Sequence, residues 1–456
     1  MFHKVLIANR GEIAVRVIRA CRELGVRTVL AYSEVDRRSL PVRLADEVVC
    51  VGPPPATKSY LNIPNIISAA LLSGCDAIHP GYGFLAENTY VADICEQYGI
   101  TFIGPPPTVI EKTGDKALAR KLMAEAGLPV IPGPCEPLRS VGEAREAAEE
   151  IGFPVILKAA LGGGGKGMRV VYQAADLPSA YTVAQAEAEG AFGRADLYLE
   201  KYLARPRHVE VQLLGDGQGK VLHLGERDCS LQRRYQKILE ESPCPALSLA
   251  TRQAIWNAAV RGATSIGYAN AGTMEFLMDS SGQFYFIEMN ARIQVEHPVT
   301  EMVTGIDLVK WQLRLAAGEP LTLSQEEITM KGHALECRIN AEDTKRGFEP
   351  ISGQVKAYLP PGGPGVRVDS HLFAGYSMPP FYDSLLAKLV VWGISREEAL
   401  ERMQRALGEF VMEGLATTIG FHQRVLEHPA FRRGDVHVGF IEEEMLEDVA
   451  QPVLGT

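Results

Sequence analysis

Two strand-like runs that carry facing carboxylates constrain the fold of this chain more than any other feature. The runs Gly272–Met278 and Phe284–Glu288 flank Asp279–Gly282, a turn-forming segment that is typical of a β-hairpin. Such a hairpin places Glu275 and Glu288 nearly opposite each other on neighbouring strands. Because like charges that face each other across two strands repel, the hairpin predicts a cation between these side chains.

The ligand chemistry of the hairpin indicates which cation it holds. Glu275, Glu288 and Asn290 offer only oxygen ligands, which Mg²⁺ prefers, and Mg²⁺ usually shares its coordination with nucleotide phosphates. The alternative is that both glutamates point into solvent as ordinary surface carboxylates. The further charged and polar residues in the segment 292–296, directly downstream, argue against that alternative.

Length and composition indicate a soluble protein of several domains. The 456 residues are too many for one hydrophobic core and predict about three domains. The chain has no apolar run of the about 20 residues that a membrane helix needs and begins directly with a strand, so we expect a cytoplasmic protein and no membrane contact. The net charge of −10 argues against nucleic acid as a partner.

The first hundred residues alternate between strand and helix patterns. A strand at Val5–Ala8, a helix at Ile13–Leu24 and a strand at Thr28–Tyr32 begin the series. Further strand signals at 47–51, 77–79 and 101–103 and a helix at 65–73 complete it. This alternation predicts a doubly wound α/β domain with a parallel sheet. The first strand-to-helix turn lacks the glycines of a dinucleotide-binding fingerprint, so nothing predicts NAD binding.

A glycine-rich segment at 162–167 lies between two further predicted strands, Val155–Lys158 and Met168–Tyr172. It differs from a Walker A loop, which leads into a helix and ends in Gly-Lys-Ser/Thr. Consecutive glycines let backbone amides point at an anion, although a glycine hairpin taken alone is equally typical of a flexible surface loop. Together with Lys116, Lys158 and the acidic hairpin, the segment predicts an ATP–Mg²⁺ site that a lid closes.

Eight motifs, in order along essentially the whole chain, resemble the ATP-grasp superfamily and, within it, the biotin carboxylase family. They are IANRGEIAVRVIRA from Ile7, HPGYGFLAEN from His79, GDK from Gly114, GGGGKGMR from Gly162, RHVEVQ from Arg207, ERDCSLQRR from Glu226, EMNARIQVEHPVTE from Glu288 and ECRINAED from Glu336. The resemblance implies a multidomain α/β and α+β fold. Its expected parts are a Rossmann-like N-terminal domain, an ATP-grasp lid and core, and a C-terminal biotin carboxylase domain.

The resemblance and the proline-rich boundaries together predict the domain limits. They are an N-terminal domain at 1–114, a helical connector at 115–136, the lid at 137–203, the core with the metal and bicarbonate site at 204–330, the C-terminal domain at 331–446 and a tail at 447–456.

The resemblance also implies the site residues. ATP is expected to contact Lys116, Lys158, Gly163, Gly164, Gly165, Glu200, Lys201, Leu203, His208, Gln232, Tyr235, Glu275 and Glu288. Glu275, Glu288 and Asn290 are the expected ligands of Mg²⁺ or Mn²⁺, with two ions. Bicarbonate is expected at Lys237, Arg292, Gln294, Val295 and Glu296, with Glu296 as the base, and Arg338 is expected to stabilise the biotin enolate.

The resemblance finally implies partners and a pathway. The expected activity is the first half-reaction of acetyl-CoA carboxylase, in which a separate biotin carboxyl carrier protein brings biotin and carboxyltransferase subunits complete the reaction. A pyruvate, propionyl-CoA or other acyl-CoA carboxylase is the alternative, and a homodimer is expected. Two rivals are another ATP-grasp ligase that forms an acyl phosphate and a regulatory subunit that only binds nucleotide. Retention of Lys237, Arg292, Glu296 and Arg338 speaks against the second rival.

Tyr235 stands where the family usually has histidine, near the nucleotide, and it generates a first prediction. A phenol donates a hydrogen bond and stacks, but it gains no charge near neutral pH. We expect a Tyr235→His variant to bind ATP with altered affinity while it keeps its chemistry. Steady-state kinetics test this, and changes of less than about twofold in both kcat and the KM for ATP would argue against any role of this side chain.

Overall fold

The N-terminal part of the chain forms a parallel α/β layer. The structure is a computed structural model, and it describes residues 1–134, 136–159, 168–193 and 195–445. The strands here are β1 (Lys4–Ile7), β2 (Arg27–Ser33), β3 (Glu47–Gly52), β4 (Ala77–His79) and β5 (Thr101–Phe102), and the helices are α1 (Gly11–Glu23), α2 (Leu40–Leu44), α3 (Ile63–Leu72), α4 (Thr89–Gln97) and α5 (Pro107–Gly114). The sheet order is β3-β2-β1-β4-β5, with every pair parallel.

The parallel sheet confirms the doubly wound interpretation of the first hundred residues. All five predicted strands are present, and both predicted helices, α1 and α3, begin two residues earlier than the pattern indicates. Ile13, Val17 and Ala20 share one face of α1 and are buried against the sheet. Helices α2, α4 and α5 were not predicted. The last of these ends directly at the connector helix α6 (Lys116–Glu125), whose first turn is capped by Asp115.

The predicted lid is a small layer with its own core. Its elements are α7 (Val141–Ile151), β6 (Val155–Ala159), β7 (Arg169–Val171), α8 (Leu177–Phe192) and β8 (Leu197–Lys201). The three strands form an antiparallel sheet in the order β7-β6-β8, and their buried residues pack against the two helices. The pairing of β6 with β7 agrees with a hairpin. The predicted nucleotide contacts Gly163, Gly164 and Gly165, which follow β6 in the sequence, lie outside the described residues.

The rest of the chain is built on one large sheet. Its first elements are β9 (Arg207–Asp216), β10 (Val221–Arg233), β11 (Gln236–Ser242), α9 (Leu249–Ser265), β12 (Ala269–Met278), β13 (Phe284–Asn290), α10 (His297–Thr304) and α11 (Leu308–Ala316). Then follow the strands β14 (His333–Asn340), β15 (Glu342–Asp343), β16 (Glu349–Pro350), β17 (Gly353–Gln354), β18 (Ala357–Leu359), β19 (Val366–Ser370), β20 (Ser377–Met378), β21 (Leu385–Gly393) and β22 (Val411–Glu413), and the helices α12 (Arg396–Glu409), α13 (Ile419–Glu427) and α14 (Pro429–Arg432).

The eight-stranded sheet has the order β13-β12-β9-β10-β11-β14-β21-β19 and is antiparallel throughout. Because β11 pairs with β14, the sheet runs through the domain limit predicted at 330/331, and the domain limits themselves stay a prediction. Among the described residues, no helix is long and apolar enough to cross a membrane.

The acidic hairpin is confirmed as β12 and β13. Glu275 and Glu288 are direct partners in its register. The turn is held by Asp279, whose Oδ1 accepts hydrogen bonds from the backbone N–H groups of Ser281 at 2.9 Å and Gln283 at 3.0 Å. The facing carboxylates therefore result from local hairpin geometry that the sequence encodes directly.

Gly332, the residue directly before β14, provides a test of how the C-terminal strands join the large sheet. Gly332 has φ +70°, and a Cβ added there would lie 2.2 Å from the carbonyl oxygen of Gly393. We expect Gly332→Ala to destabilise the protein by about 3 kcal/mol, because left-handed strain and a backbone clash add together. Gly318→Ala is the matched control, since Gly318 has φ +80° with no atom near its added Cβ, and it should cost about 1 kcal/mol. Thermal unfolding compares the two, and equal shifts in midpoint would contradict the prediction.

Candidate active site

A cavity of about 660 Å³ opens beside the acidic hairpin. Its walls come from the N-terminal layer, the large sheet and the loop after β13. The predicted site residues that line it are His208, Tyr235, Lys237, Glu275, Glu288, Asn290, Arg292, Gln294, Val295 and Arg338. Residues that lie far apart in the sequence thus line one cavity.

Glu275 is the buried centre of the hairpin side of this cavity. Its Oε1 accepts hydrogen bonds from Asn290 Nδ2 at 2.7 Å and Gln294 Nε2 at 2.9 Å, and its Oε2 lies 2.6 Å from His208 Nε2. Burial would raise the pKa of this carboxyl group, but Lys237 and His208 outweigh burial and hold the pKa below its ordinary value. Glu275 is therefore a fixed carboxylate rather than a surface group.

Glu288 is the more open of the two facing carboxylates. Its side chain is partly exposed, and its Oε2 lies 3.2 Å from Lys116 Nζ. Burial raises the pKa of Glu288, and the ammonium of Lys116 more than compensates. Two carboxylates in direct register beside the amide of Asn290 form an oxygen-only donor set, which fits Mg²⁺.

Lys237 neutralises three carboxylates at once. Its Nζ lies 2.6 Å from Glu296 Oε1 and 3.3 Å from Glu275 Oε1, and it also donates a hydrogen bond to Glu210 Oε2. These contacts raise the pKa of Lys237 well above its ordinary value, although burial alone would lower it. The lysine consequently stays charged and joins the strands β9, β11 and β12 to the loop that carries Glu296.

Glu210 is in turn held by Arg227, a fully buried guanidinium. Arg227 Nε donates to Glu210, and Arg227 Nη1 donates to Gln212 Oε1 at 2.7 Å and to Thr300 Oγ1 at 2.9 Å. The sequence interpretation assigned no role to either residue. The available signal was the alternation of polar side chains with valines in 208–212, which puts a polar face inside a strand that is buried on both sides.

Glu296 lies beneath the cavity with no exposed surface. Its Oε2 is 2.8 Å from Arg338 Nη2, and Arg338 Nε donates to Glu240 Oε1 at 2.6 Å. Burial and the charge of Glu210 raise the pKa of Glu296. The positive charges of Lys237 and Arg338 lower it by more, so the pKa of Glu296 lies below its ordinary value. The group is thus an ionised carboxylate at neutral pH.

Two buried carboxyl groups behind Arg338 were missed by the sequence interpretation. Glu240 and Glu336 are cross-strand partners on β11 and β14. Burial raises the pKa of Glu240 to about 7 against the opposing charge of Arg338, and burial raises the pKa of Glu336 well above its ordinary value. No local pattern distinguishes these glutamates from exposed ones, because their burial depends on how distant strands pair.

Arg292 is anchored at the edge of the cavity. Its Nε donates to Glu87 Oε2 at 2.7 Å, its Nη1 to Gln294 Oε1 at 2.9 Å and its Nη2 to Asn290 Oδ1 at 3.1 Å. Glu87 lies in the motif that begins at His79, but the sequence interpretation gave it no role. The guanidinium is therefore oriented by three side chains and faces the space beside Gln294 and Val295.

A second cavity, of about 380 Å³, lies between the lid and the large sheet. Apolar side chains form much of its wall, among them Ile131, Ile156, Met168, Leu277 and Val438. The predicted nucleotide contacts Lys158, Lys201, Leu203 and Tyr235 also line it. An apolar slot with lysines at its edge suits a planar base with phosphates attached.

The remaining predicted nucleotide contacts are paired with other predicted site residues. Lys158 Nζ lies 2.5 Å from Glu200 Oε2, and Gln232 Nε2 lies 2.7 Å from His208 Nδ1. Tyr235 lies in the turn between β10 and β11, is 55% exposed and lines both cavities. It is thus free to meet a ligand from either side.

Comparisons with known proteins find relatives along nearly the whole chain. Three family models match: "Biotin carboxylase, N-terminal domain" at residues 1–110, "Carbamoyl-phosphate synthase L chain, ATP binding domain" at residues 115–324, and "Biotin carboxylase C-terminal domain" at residues 336–443. A biotin carboxylase of Nostoc sp. is 55% identical over 97% of this chain and 99% of its own length. The chain belongs to the biotin carboxylase family. As a biotin carboxylase, it is an ATP-grasp ligase, which confirms the expected family, fold class and enzyme class.

Two further relatives show the range of the family. A pyruvate carboxylase subunit of Methanothermobacter thermautotrophicus is 52% identical over 97% of this chain and 90% of its own length. The biotin carboxylase domain dimer of Hydrogenobacter thermophilus 2-oxoglutarate carboxylase, solved with MgADP, ADP and bicarbonate, has 51% identity and a TM-score of 0.93 over 97% of this chain and 98% of that one. Biotin carboxylases of this fold therefore occur in carboxylases with different acceptors.

The lysine that joins three carboxylates generates a prediction about pH. In the folded protein the pKa values of Glu210 and Glu296 lie below their ordinary value of 4.5, so their pairing stabilises the fold above that pH and is lost as the pH falls. Without the ammonium, burial raises these pKa values instead, so the variant can protonate its unpaired carboxylates at pH 5 but must bury them charged at pH 8. We therefore expect Lys237→Met to lower the unfolding temperature, by more at pH 8 than at pH 5. Thermal unfolding in buffer without divalent cations measures it.

The matched control is Lys4→Met. Lys4 is similarly buried, and in the described part of the chain it pairs with one carboxylate, the half-exposed Glu47, at 2.9 Å, while it donates a hydrogen bond to the carbonyl oxygen of Ser73 at 2.8 Å. The Lys4→Met variant should lose little unfolding temperature, and this loss should be nearly the same at both pH values. A Lys237→Met deficit that stays constant between the two pH values would show that the carboxylates do not depend on this ammonium.

Proposed function

We propose that this biotin carboxylase carboxylates biotin on a separate carrier protein, using ATP and bicarbonate, with carboxyphosphate as the intermediate. One observation carries the proposal: Glu296 is a buried, ionised carboxylate held between Lys237 and Arg338. A base in that position suits a reaction that must deprotonate one small anion and stabilise a second. A protein that only binds nucleotide has no use for such a base.

Bicarbonate is the first anion. Lys237, Arg292, Gln294 and the backbone of Val295 surround a space next to Glu296 and would hold bicarbonate there. Bicarbonate is a poor nucleophile until its proton leaves, and Glu296 accepts that proton as a bicarbonate oxygen attacks the γ-phosphorus of ATP. The bond from this phosphorus to the bridging oxygen breaks, which gives ADP and carboxyphosphate.

The nucleotide is proposed to lie between the lid and the large sheet. The adenine would fill the apolar slot at Leu203, and the phosphates would extend past Lys158 and Lys116 toward the hairpin. Bound Mg²⁺, one or two ions at Glu275, Glu288 and Asn290, would neutralise phosphate charge during transfer. The glycines Gly163–Gly165 would cover the phosphates, and they lie outside the described residues.

Biotin supplies the second anion. Carboxyphosphate breaks its C–O bond to give CO₂ and phosphate, and the phosphate takes the proton from the ureido nitrogen of biotin. The deprotonated nitrogen then attacks the carbon of CO₂, and the new N–C bond gives carboxybiotin. The negative charge that develops on the ureido oxygen requires a fixed cation, which Arg338 provides. Glu240 keeps this guanidinium in place while the charge of Glu296 changes.

The final acceptor is proposed to be acetyl-CoA, with the carrier protein and the carboxyltransferase as partners. The relative from Methanothermobacter supports the alternative that the acceptor is pyruvate or another acyl compound. A homodimer is also proposed, and the dimeric Hydrogenobacter structure supports it. By the family resemblance, Arg19, Glu23 and Arg367 match positions used in such dimers, and these three residues lie together around one open surface depression.

Two variants separate the proposed roles. Glu296→Gln should lower bicarbonate-dependent ATP hydrolysis about 100-fold, because the base is lost. Arg338→Met should keep much of the bicarbonate-dependent hydrolysis but lose its stimulation by free biotin. Phosphate release with and without biotin measures both. Arg145→Met removes an exposed arginine from the lid and serves as the control, with activity as in wild type. Normal biotin stimulation in Arg338→Met would contradict the assignment.

A further inference from the structure

Lys388 on β21 carries a buried ammonium group that contacts the loop of the proposed base, Glu296. Its side chain has no exposed surface. Its Nζ lies 2.8 Å from the carbonyl oxygen of Val295 and 3.1 Å from Glu12 Oε1. Neither Lys388 nor Glu12 belongs to the nucleotide, metal or bicarbonate groups described above. The contacts join the C-terminal strand, the first helix and the site loop.

Glu12 connects this ammonium to the opposite wall of the cavity. It lies in the first turn of α1 and is buried. Its Oε1 also accepts a hydrogen bond from the hydroxyl group of Tyr82, a residue that lines the active-site cavity. Within the described residues, Glu12 Oε2 has no hydrogen-bond partner. All the bonding of this carboxylate is thus directed at Tyr82 and Lys388.

The neighbours of Lys388 on the adjacent strands explain why it bonds to the loop. Its cross-strand partners are Arg338 on β14 and Asp369 on β19. Asp369 is already engaged by Arg367, whose Nε and Nη2 lie 2.9 Å and 2.6 Å from its two carboxylate oxygens. The ammonium is therefore left with Glu12 and a main-chain oxygen. A buried cation is strongly held by such partners, since it has no access to water.

The bonded oxygen matters because of the peptide to which it belongs. The carbonyl of Val295 is part of the planar peptide unit that ends at the Cα of Glu296. A fixed oxygen consequently fixes the backbone from which the base projects. The same residue, Val295, contributes its backbone to the proposed bicarbonate site. Directly after Glu296 the chain enters α10, so the base is held from both sides.

We propose that Glu12 and Lys388 are positioning residues that hold the Val295–Glu296 peptide and Tyr82 in the geometry that carboxylation requires. The inference rests on the proposed function, because it assigns a task to residues behind the proposed base. Neither residue touches substrate. They act through the backbone that carries Glu296 and through the hydroxyl group of Tyr82. Replacing either residue should therefore impair the reaction with bicarbonate and leave the binding of ATP unchanged.

Kinetics of three full-length variants test the inference. Lys388→Met and Glu12→Gln should raise the KM for bicarbonate or lower kcat by about tenfold or more, since small misplacements of a base are costly, while the KM for ATP changes by less than about twofold. Tyr82→Phe removes one hydrogen bond and no charge, and it should show a smaller effect of the same kind. Glu12→Gln and Tyr82→Phe keep the shape of the site, so they test the proposed positioning role even if Lys388→Met fails to fold.

The matched control is Arg252→Met. Arg252 Nε lies 2.9 Å from Glu226, another buried carboxylate, and Arg252 lines neither of the two cavities. This variant should lower the unfolding temperature while all kinetic constants stay near wild type. If the Lys388 and Glu12 variants behave in the same way, the pair is only structural and the inference is overturned. If wild type shows no ATP turnover that depends on bicarbonate, the proposed function fails, and the inference fails with it.

Discussion

The site depends on one electrostatic arrangement, in which the ammonium of Lys237 sits among the carboxylates of Glu210, Glu275 and Glu296. Three carboxylates so close together would repel each other and take up protons, as buried acids do. The lysine removes that repulsion and keeps Glu296 ionised. It also binds three strands of the large sheet to the loop after β13.

Much of the fold and part of the site could be predicted because the relevant contacts are local. The facing of Glu275 and Glu288 follows from a short turn and the two-residue period of strands. The parallel N-terminal sheet follows from regular alternation of strand and helix patterns. The identities of Lys237, Arg292 and Arg338 came from the family resemblance, and their meeting in one cavity agrees with it.

The rest could not be predicted because it depends on pairing between distant strands. Arg227, Glu240 and Lys388 look like ordinary charged residues in the sequence, since charged side chains are usually exposed. Glu240 and Lys388 are buried because β11 pairs with β14 and β14 with β21, which joins residues about a hundred and about fifty positions apart. Arg227 is buried because β10 pairs with β9 and because its guanidinium reaches Thr300 on α10. The contact between Glu87 and Arg292 likewise joins the N-terminal layer to the loop after β13. No local pattern carries this information.

The continuity of the large sheet across residue 330 has a consequence for dissecting the protein. Any fragment that ends at this limit would expose the edge of β11, and its complement would expose the edge of β14. Unpaired strand edges invite association with other chains, so both halves would tend to aggregate rather than to fold as autonomous modules. A shuffled or chimaeric ligase should therefore leave the eight-stranded sheet in one piece and exchange the predicted lid, whose three-stranded sheet is separate from the large one and has its own core.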